Sequence, residues 1–181
     1  QSESERLSRL TENLMTLARS DEDFLPAYTA QVDMTSLCQK VAAQMTLLAA
    51  EKKLQLKQEI QDNLVTQGDE MALSRLLIIL LDNAMKYSPE QTQITLRAAK
   101  VKTHLVLEVR DEGCGISDED KQKIFDRFFR VDKARSRSQG GLGLGLSLAL
   151  AIVRQHGGSI KVLDNKPWGT VMYVKLPLEA K

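Results

Sequence analysis

The sequence predicts a two-layer α/β sandwich, and three observations predict it. Stretches with leucines three and four residues apart, such as RLLIILLDNAMKYS, alternate with short β-rich stretches such as HLVLEVR. Two neighbouring β-rich stretches, QITLRAAK and HLVLEVR, are separated only by VKT, which suits a hairpin and hence an antiparallel sheet. At 181 residues the chain has the size of one ordinary domain, able to bury roughly two-thirds of the surface its unfolded form exposes.

Taken in order, residues 4–19 set Leu7, Leu10, Leu14 and Leu17 at alternating spacings of three and four, a seam that packs on another helix or on its own domain. The run SDEDFLPAYT, with its acids and Pro26, ends that helix as a linker. AYTAQV reads as a strand, and Asp33 caps a helix over about 34–52. LQLKQEI and NLVTQG read as strands on either side of the turn formers Asp62 and Asn63. Asp69 caps a helix that reaches Lys86 and stops at Ser88 and Pro89. After the hairpin and DEGCGIS come a short helix near 118–125, a basic loop, a glycine run, a helix to His156, and the strands SIKVLD and TVMYVKLPL.

Composition bounds the function. Charged residues make up 27% and the net charge is +1, so neither a polyanion binder nor an acidic disordered chain is indicated. Cys38 and Cys114 lack any metal or disulfide spacing and fit a reducing compartment. QSESERLSRL has no signal-peptide core, and the longest apolar run, Leu142 to Val153, falls short of the ~20 residues of a membrane span, so these residues are expected to form a soluble piece.

Four stretches carry chemistry. On the second long helix Ile79, Asn83 and Lys86 share a face; an Asn oxygen is a neutral ligand for a hard cation, and a Lys meets phosphate as a point charge. Taken alone, that pattern fits a core helix with a wet edge better. DEGCGI follows a strand; its glycines let a planar group lie against the chain, and Asp111 can accept from an exocyclic amine, although, taken alone, a tight turn with a solvated acid explains it better. Residues 121–137 hold seven bases (Lys121, Lys123, Arg127, Arg130, Lys133, Arg135, Arg137) against Asp126 and Asp132, with Phe125, Phe128 and Phe129 as anchors, which reads as a basic lid or a solvated charge run. Glycines 140, 141, 143 and 145 end that loop and open the last long helix, so backbone N–H groups and the helix dipole can face an anion. The run is neither the G-x-x-x-x-G-K-[ST] phosphate loop nor the dinucleotide G-x-G-x-x-G, since no Lys follows and no strand precedes.

Together and in this order, LLDNAMKYS, DEGCGI, FDRFF and GGLGLGL, followed by HGGSI and WGT, resemble the N, first glycine, F and second glycine boxes of the catalytic and ATP-binding domain of sensor histidine kinases, over about residues 27–177. The superfamily also holds DNA gyrase and a heat-shock chaperone. The resemblance implies a mixed, largely antiparallel sheet with three helices and an ATP lid, and catalytic roles for Asn83, Lys86 and Arg130. Asn83 would hold Mg2+, Lys86 and Tyr87 face the phosphates and ribose, and Asp111 bind the adenine amine. Gly113, Gly115, Ile116 and Thr170 would line the base pocket; Arg130, Gly141, Leu142, Gly143, Leu144, Gly145 and Leu146 would enclose the triphosphate. Residues 1–22 would be the tail of a dimerisation helix, and 27–181 the kinase domain. The implied partners are that dimerisation domain, in a homodimer, and a response regulator; the implied setting is the cytoplasmic side of a membrane sensor, with no nucleic acid involved.

Two positions depart from the family. Ile79 stands where an Asn is frequent and where gyrase-like relatives carry a water-activating Glu, which speaks against a hydrolytic ATPase and for loosely held magnesium. The chain has two histidines, His104 in a strand pattern and His156 at a helix end, and neither sits in a phosphoacceptor motif, so the acceptor is expected upstream. The expected function is transfer of the ATP γ-phosphoryl group to a His of the dimerisation domain for relay to an Asp. A serine kinase of the anti-sigma type and a nucleotide-sensing module without transfer are the rivals.

Overall fold

The computed structural model describes residues 30–131 and 143–178. In chain order the elements are β1 (Gln31–Asp33), α1 (Met34–Glu51), β2 (Gln55–Ile60), β3 (Val65–Gln67), α2 (Glu70–Tyr87), β4 (Gln93–Val101), β5 (His104–Arg110), a 3-10 turn (Lys123–Phe125), α3 (Gly145–Gln155), β6 (Ser159–Asp164) and β7 (Thr170–Pro177). β2, β4, β5, β7 and β6 form one five-stranded sheet in that order, antiparallel except for the β2–β4 pair. β1 and β3 make a separate antiparallel pair.

α1 and α2 start where the sequence offers a cap. Asp33 accepts from the Ser36 amide at 3.0 Å and the Ser36 hydroxyl at 2.6 Å. Asp69 accepts from the Met71 and Ala72 amides at 2.9 and 3.2 Å, supplying two of the four donors that the first turn of a helix leaves without an internal partner. α2 ends because Ser88, which precedes Pro89, is extended.

The leucines of α2 fall on its inner side: Leu73, Leu76, Leu77, Leu80 and Leu81 are fully buried. They meet the inward alternation of the sheet, Leu96 and Ala98 on β4, Leu105, Leu107 and Val109 on β5, Val174 and Leu176 on β7. Each such leucine contributes about 1.5–3 kcal/mol relative to exposure, so one contiguous core holds the helices to a single sheet face.

The outer face is polar in rows. One row crosses all five strands in register: Glu59, Arg97, Glu108, Tyr173, Lys161. Arg97 Nη1 reaches Glu108 at 3.1 Å, Arg110 Nε reaches it at 2.9 Å, and the Lys161 ammonium lies 5.1 Å from the Tyr173 ring centre. Glu108 is nonetheless buried on that face, paired by two guanidinium groups.

Two expectations are modified. LQLKQEI and NLVTQG do not pair with each other; Asn63, at positive φ, turns the chain so that β3 joins β1 while β2 runs parallel to β4. The helix expected over 118–125 is a set of turns closing in the 3-10 turn, because Ser117 and Asp120 bond each other's side chains and Lys121 is drawn to Asp118 and Asp164. His156 stands at the end of α3 as expected, as its C-cap. Residues 1–29, with the leucine seam, lie outside the described residues, as do Asp132, Lys133, Arg135, Arg137, Gly140, Gly141 and Leu142.

Candidate nucleotide site

Asp111 follows the last residue of β5, and the neighbouring strand β7 begins beside it with Thr170. Its carboxylate is buried and engages three donors of the protein itself. Oδ1 accepts from the Gly113 amide at 2.9 Å and the Thr170 amide at 3.1 Å, and Oδ2 accepts from the Thr170 hydroxyl. A carboxylate offers about four acceptor positions, so one remains on Oδ2 for an outside donor.

The glycines around it are steric necessities. A Cβ on Gly113 would lie 2.7 Å from the Tyr87 carbonyl oxygen, so the first glycine box is wedged under the end of α2. Gly169, at φ +107, crosses Asp111 so closely that any Cβ would overlap the Asp111 carbonyl oxygen. Asn165 completes the clamp by donating from Nδ2 to that same oxygen at 2.8 Å, and its own amide bonds the Gly169 carbonyl at 3.1 Å. Gly115 sits opposite the Gly169 carbonyl, and Ile116 packs partly buried on the core.

A second group forms where α2, the F box and the second glycine box meet. Ile79, Asn83 and Lys86 are half-buried along one side of α2, as expected, and Tyr87 follows on its exposed end with the Lys86 ammonium 5.3 Å from its ring centre. Gly143, at φ +72, lies against the backbone of Phe128 and Phe129, and its carbonyl accepts from the Phe128 amide at 3.0 Å. A Cβ on Gly145 would touch Ile79 Cγ2 at 3.5 Å, so the isoleucine packs on the second glycine box. Leu144 is buried and Leu146 partly so.

Two features suit an anion here. α3 begins at Gly145 with no side-chain cap, unlike α1 and α2, leaving its first amides to another acceptor. Arg130 has its Nη2 buried with no hydrogen-bond partner among the described residues, and a buried cationic donor without an acceptor is costly unless an anion joins it.

An open cleft of about 520 Å³ lies beside Asp111, bounded by Lys86, Tyr87, Glu112, Gly113, Cys114 and Trp168. Of the nucleotide residues expected from sequence it contains Lys86, Tyr87 and Gly113; Asp111, Gly115 and Thr170 form the adjoining wall, and Arg130 and Gly143 belong to the second group. Asn165 is an addition from structure, and Trp168 and Gly169 of the WGT stretch gain a place beside Asp111 that the sequence did not assign them. Among the described residues no cluster of three or more His, Cys, Asp or Glu side chains could hold a metal, and Asn83 is half-buried on the α2 face.

Residues 68–180 match the family described as Histidine kinase-, DNA gyrase B-, and HSP90-like ATPase. The chain belongs to this ATPase family. Among its relatives is the sensor protein CiaH of Streptococcus pneumoniae, 42% identical over 170 residues, 94% of this chain and 38% of CiaH. The sensor protein SrrB of Staphylococcus aureus is 33% identical over 175 residues, 97% of this chain and 30% of SrrB. The chain thus spans less than two-fifths of the length of these curated relatives. Among solved structures, the mycobacterial sensor histidine kinase MprB superposes with a TM-score of 0.72 at 27% identity, covering 84% of this chain and 99% of that one. The ATPase domain seen here therefore has the sheet, the three helices and the glycine boxes of the sensor-kinase branch of its family. No helix among the described residues is long and apolar enough to cross a membrane.

Proposed function

We propose that this domain binds Mg·ATP and passes the γ-phosphoryl group to a histidine on a helical dimerisation domain, for relay to an aspartate of a response regulator. The observation that carries the reading is the Asp111 carboxylate, buried and held by Gly113 and Thr170 with one acceptor position left, which suits an adenine amine. Gly113, Gly115, Ile116 and Thr170 shape the base side. Lys86 and Arg130 meet phosphate oxygens, and the uncapped start of α3 at Gly143 to Leu146 adds backbone donors. Tyr87 faces the ribose; Gly141 and Leu142 are assigned to the triphosphate by motif position. Asn83 supplies a neutral oxygen to Mg2+, with phosphates and water completing the shell, and the ion neutralises charge on the phosphoryl oxygens.

Phosphoryl transfer asks little covalent help from side chains, and a neutral imidazole is already a nucleophile, so positioning and charge neutralisation suffice. Residues 1–22 fit the tail of the dimerisation helix, and the whole protein a homodimeric sensor anchored in a membrane with this domain on the cytoplasmic side. Ile79, seated on Gly145 where a metal-polarising side chain would otherwise stand, favours a second reading: a nucleotide-sensing module that binds without transfer.

One experiment separates the two. Incubation with labelled Mg·ATP and a separate His-bearing acceptor domain yields acid-labile phosphate on the acceptor if the first reading holds. Binding heat in calorimetry with no transfer leaves the second, and no heat at millimolar Mg·ATP overturns both.

A further inference from the structure

We propose that Lys121 is a positioning residue: its ammonium ties the segment between the first glycine box and the F box to the end of β6, and thereby sets Arg130 for phosphate against the corner that holds Asp111. The inference rests on the nucleotide reading given above and goes beyond it, because Lys121 belongs to none of the four boxes.

Among the bases of residues 121–137, Lys121 is already spent. Its Nζ lies 2.5 Å from Asp118 Oδ1 and 2.8 Å from Asp164 Oδ1, and its side chain is 18% exposed where those of the two acids are 92% and 61% exposed. With two carboxylates on it, this ammonium is a tie rather than a phosphate ligand. One end of the tie falls on β6 beside the base corner: Asp164 is the register partner of Thr170, whose amide and hydroxyl hold the Asp111 carboxylate. The other end is stiffened by short local bonds, since the Lys121 amide donates to the Ser117 carbonyl at 3.1 Å and the Ser117 hydroxyl donates to Asp120 at 2.9 Å.

The residues after Lys121 give the tie its purpose. Ile124 is buried, Phe125 and Phe129 pack on the core, and the Phe128 amide donates to the Gly143 carbonyl at 3.0 Å. Arg130 follows, with Nη2 buried and without a hydrogen-bond partner among the described residues. A guanidinium nitrogen in that state gains by moving out to water, so the segment is drawn away from the site until an anion arrives. Apolar packing holds the segment toward α3, and Lys121 holds it toward β6. A segment held in advance loses less freedom when phosphates are gripped, and a larger fraction of the molecules is ready to bind.

The test is a double-mutant cycle on Mg·ATP affinity, read by calorimetry. Lys121→Met keeps an unbranched stem without the charge and should weaken Mg·ATP about fivefold or more. Lys121→Arg, whose guanidinium can serve both carboxylates, should stay within about twofold of the unaltered domain. Arg130→Ala should weaken Mg·ATP about tenfold or more, and Lys121→Met added to Arg130→Ala should cost no more than about a further twofold, because no guanidinium is left to set. Asp164→Asn breaks the tie from its other end and should act in the same direction in the same cycle. A merely structural Lys121 would lower affinity by the same factor in both backgrounds. Unchanged affinity in Lys121→Met, an arginine as damaging as the methionine, no effect of Arg130→Ala, or equal losses in both backgrounds overturns the proposal and leaves the ATP reading standing. Absence of Mg·ATP binding by the unaltered domain overturns both.

Discussion

The Asp69 amide donates a 3.0 Å hydrogen bond to Nε2 of His156, joining the start of α2 to the end of α3. His156 Nδ1 lies 2.7 Å from the Ile152 carbonyl oxygen, so the bond from Asp69 fixes the neutral ring with its proton on Nδ1. The two helices that flank the candidate nucleotide site are thus tied at the ends remote from Tyr87 and Gly145.

That tie gives the domain an acid sensitivity. Burial pushes the His156 pKa below its ordinary 6.5, opposed by the Ile152 carbonyl and the Asp69 carboxylate. The folded ring therefore binds fewer protons than the unfolded one, and stability rises with pH across that window. The contribution is intact above pH 6.5, falls as the pH drops toward the depressed folded value, and levels off below it. Thermal unfolding at successive pH values should show this slope in the unaltered chain and lose it in His156→Gln. His156→Ala should cost about 1–3 kcal/mol at pH 7.5, since the Asp69 amide and the Ile152 carbonyl lose their partner.

Gly169→Ala should be among the most damaging single changes in the domain. The added methyl would overlap the Asp111 carbonyl oxygen at a positive φ, so the β6–β7 connection must leave Asp111 or β7 must shift. A loss of more than about 3 kcal/mol is expected in denaturant titration, together with loss of nucleotide binding heat. Wild-type stability in this variant would contradict the close crossing.

Asp111→Asn should spare the fold and weaken the ligand. An asparagine oxygen can keep the Gly113 and Thr170 amides while its NH2 donates to the Thr170 hydroxyl. The open acceptor on Oδ2, however, becomes a donor facing an amine. ATP and ADP should weaken alike, by tenfold or more, with unfolding temperature nearly unchanged; equal affinities would remove Asp111 from base recognition.

Asn83→Ala is expected to leave the fold intact, because the side chain is half-buried at the edge of α2 while the leucines hold its core side. Transfer to a supplied acceptor should fall by at least a hundredfold, measured as acid-labile label. Undiminished transfer would take magnesium away from Asn83.

Much of this site was legible in sequence because its parts are local. The Asp69 cap and the leucine spacing of α2 are decided by residues within a turn of one another, and both stand in the structure as read. What escaped depends on distant partners. Asn165 reaches Asp111 across 54 positions, and nothing in NKPWG announces that reach. His156 was read as a helix-end residue and is one, yet its bond to Asp69 spans 87 positions and made it part of the interior. The parallel β2–β4 pairing was hidden for a similar reason: LQLKQEI alternates equally well beside either neighbour, and the turn at Asn63 decides.

That parallel pairing sets how α2 is suspended in the molecule. β2 and β4 are adjacent, and the chain between them runs through β3 and α2, so the ligand-facing helix hangs like a strap between two neighbouring strands, one of them at the margin of the sheet. β4, β5 and β7 are each braced on both sides, whereas β2 has a neighbour on one side only. The strap is thus anchored at one end to β4, which has a neighbour on each side, and at the other, through β3, to β2, which has one.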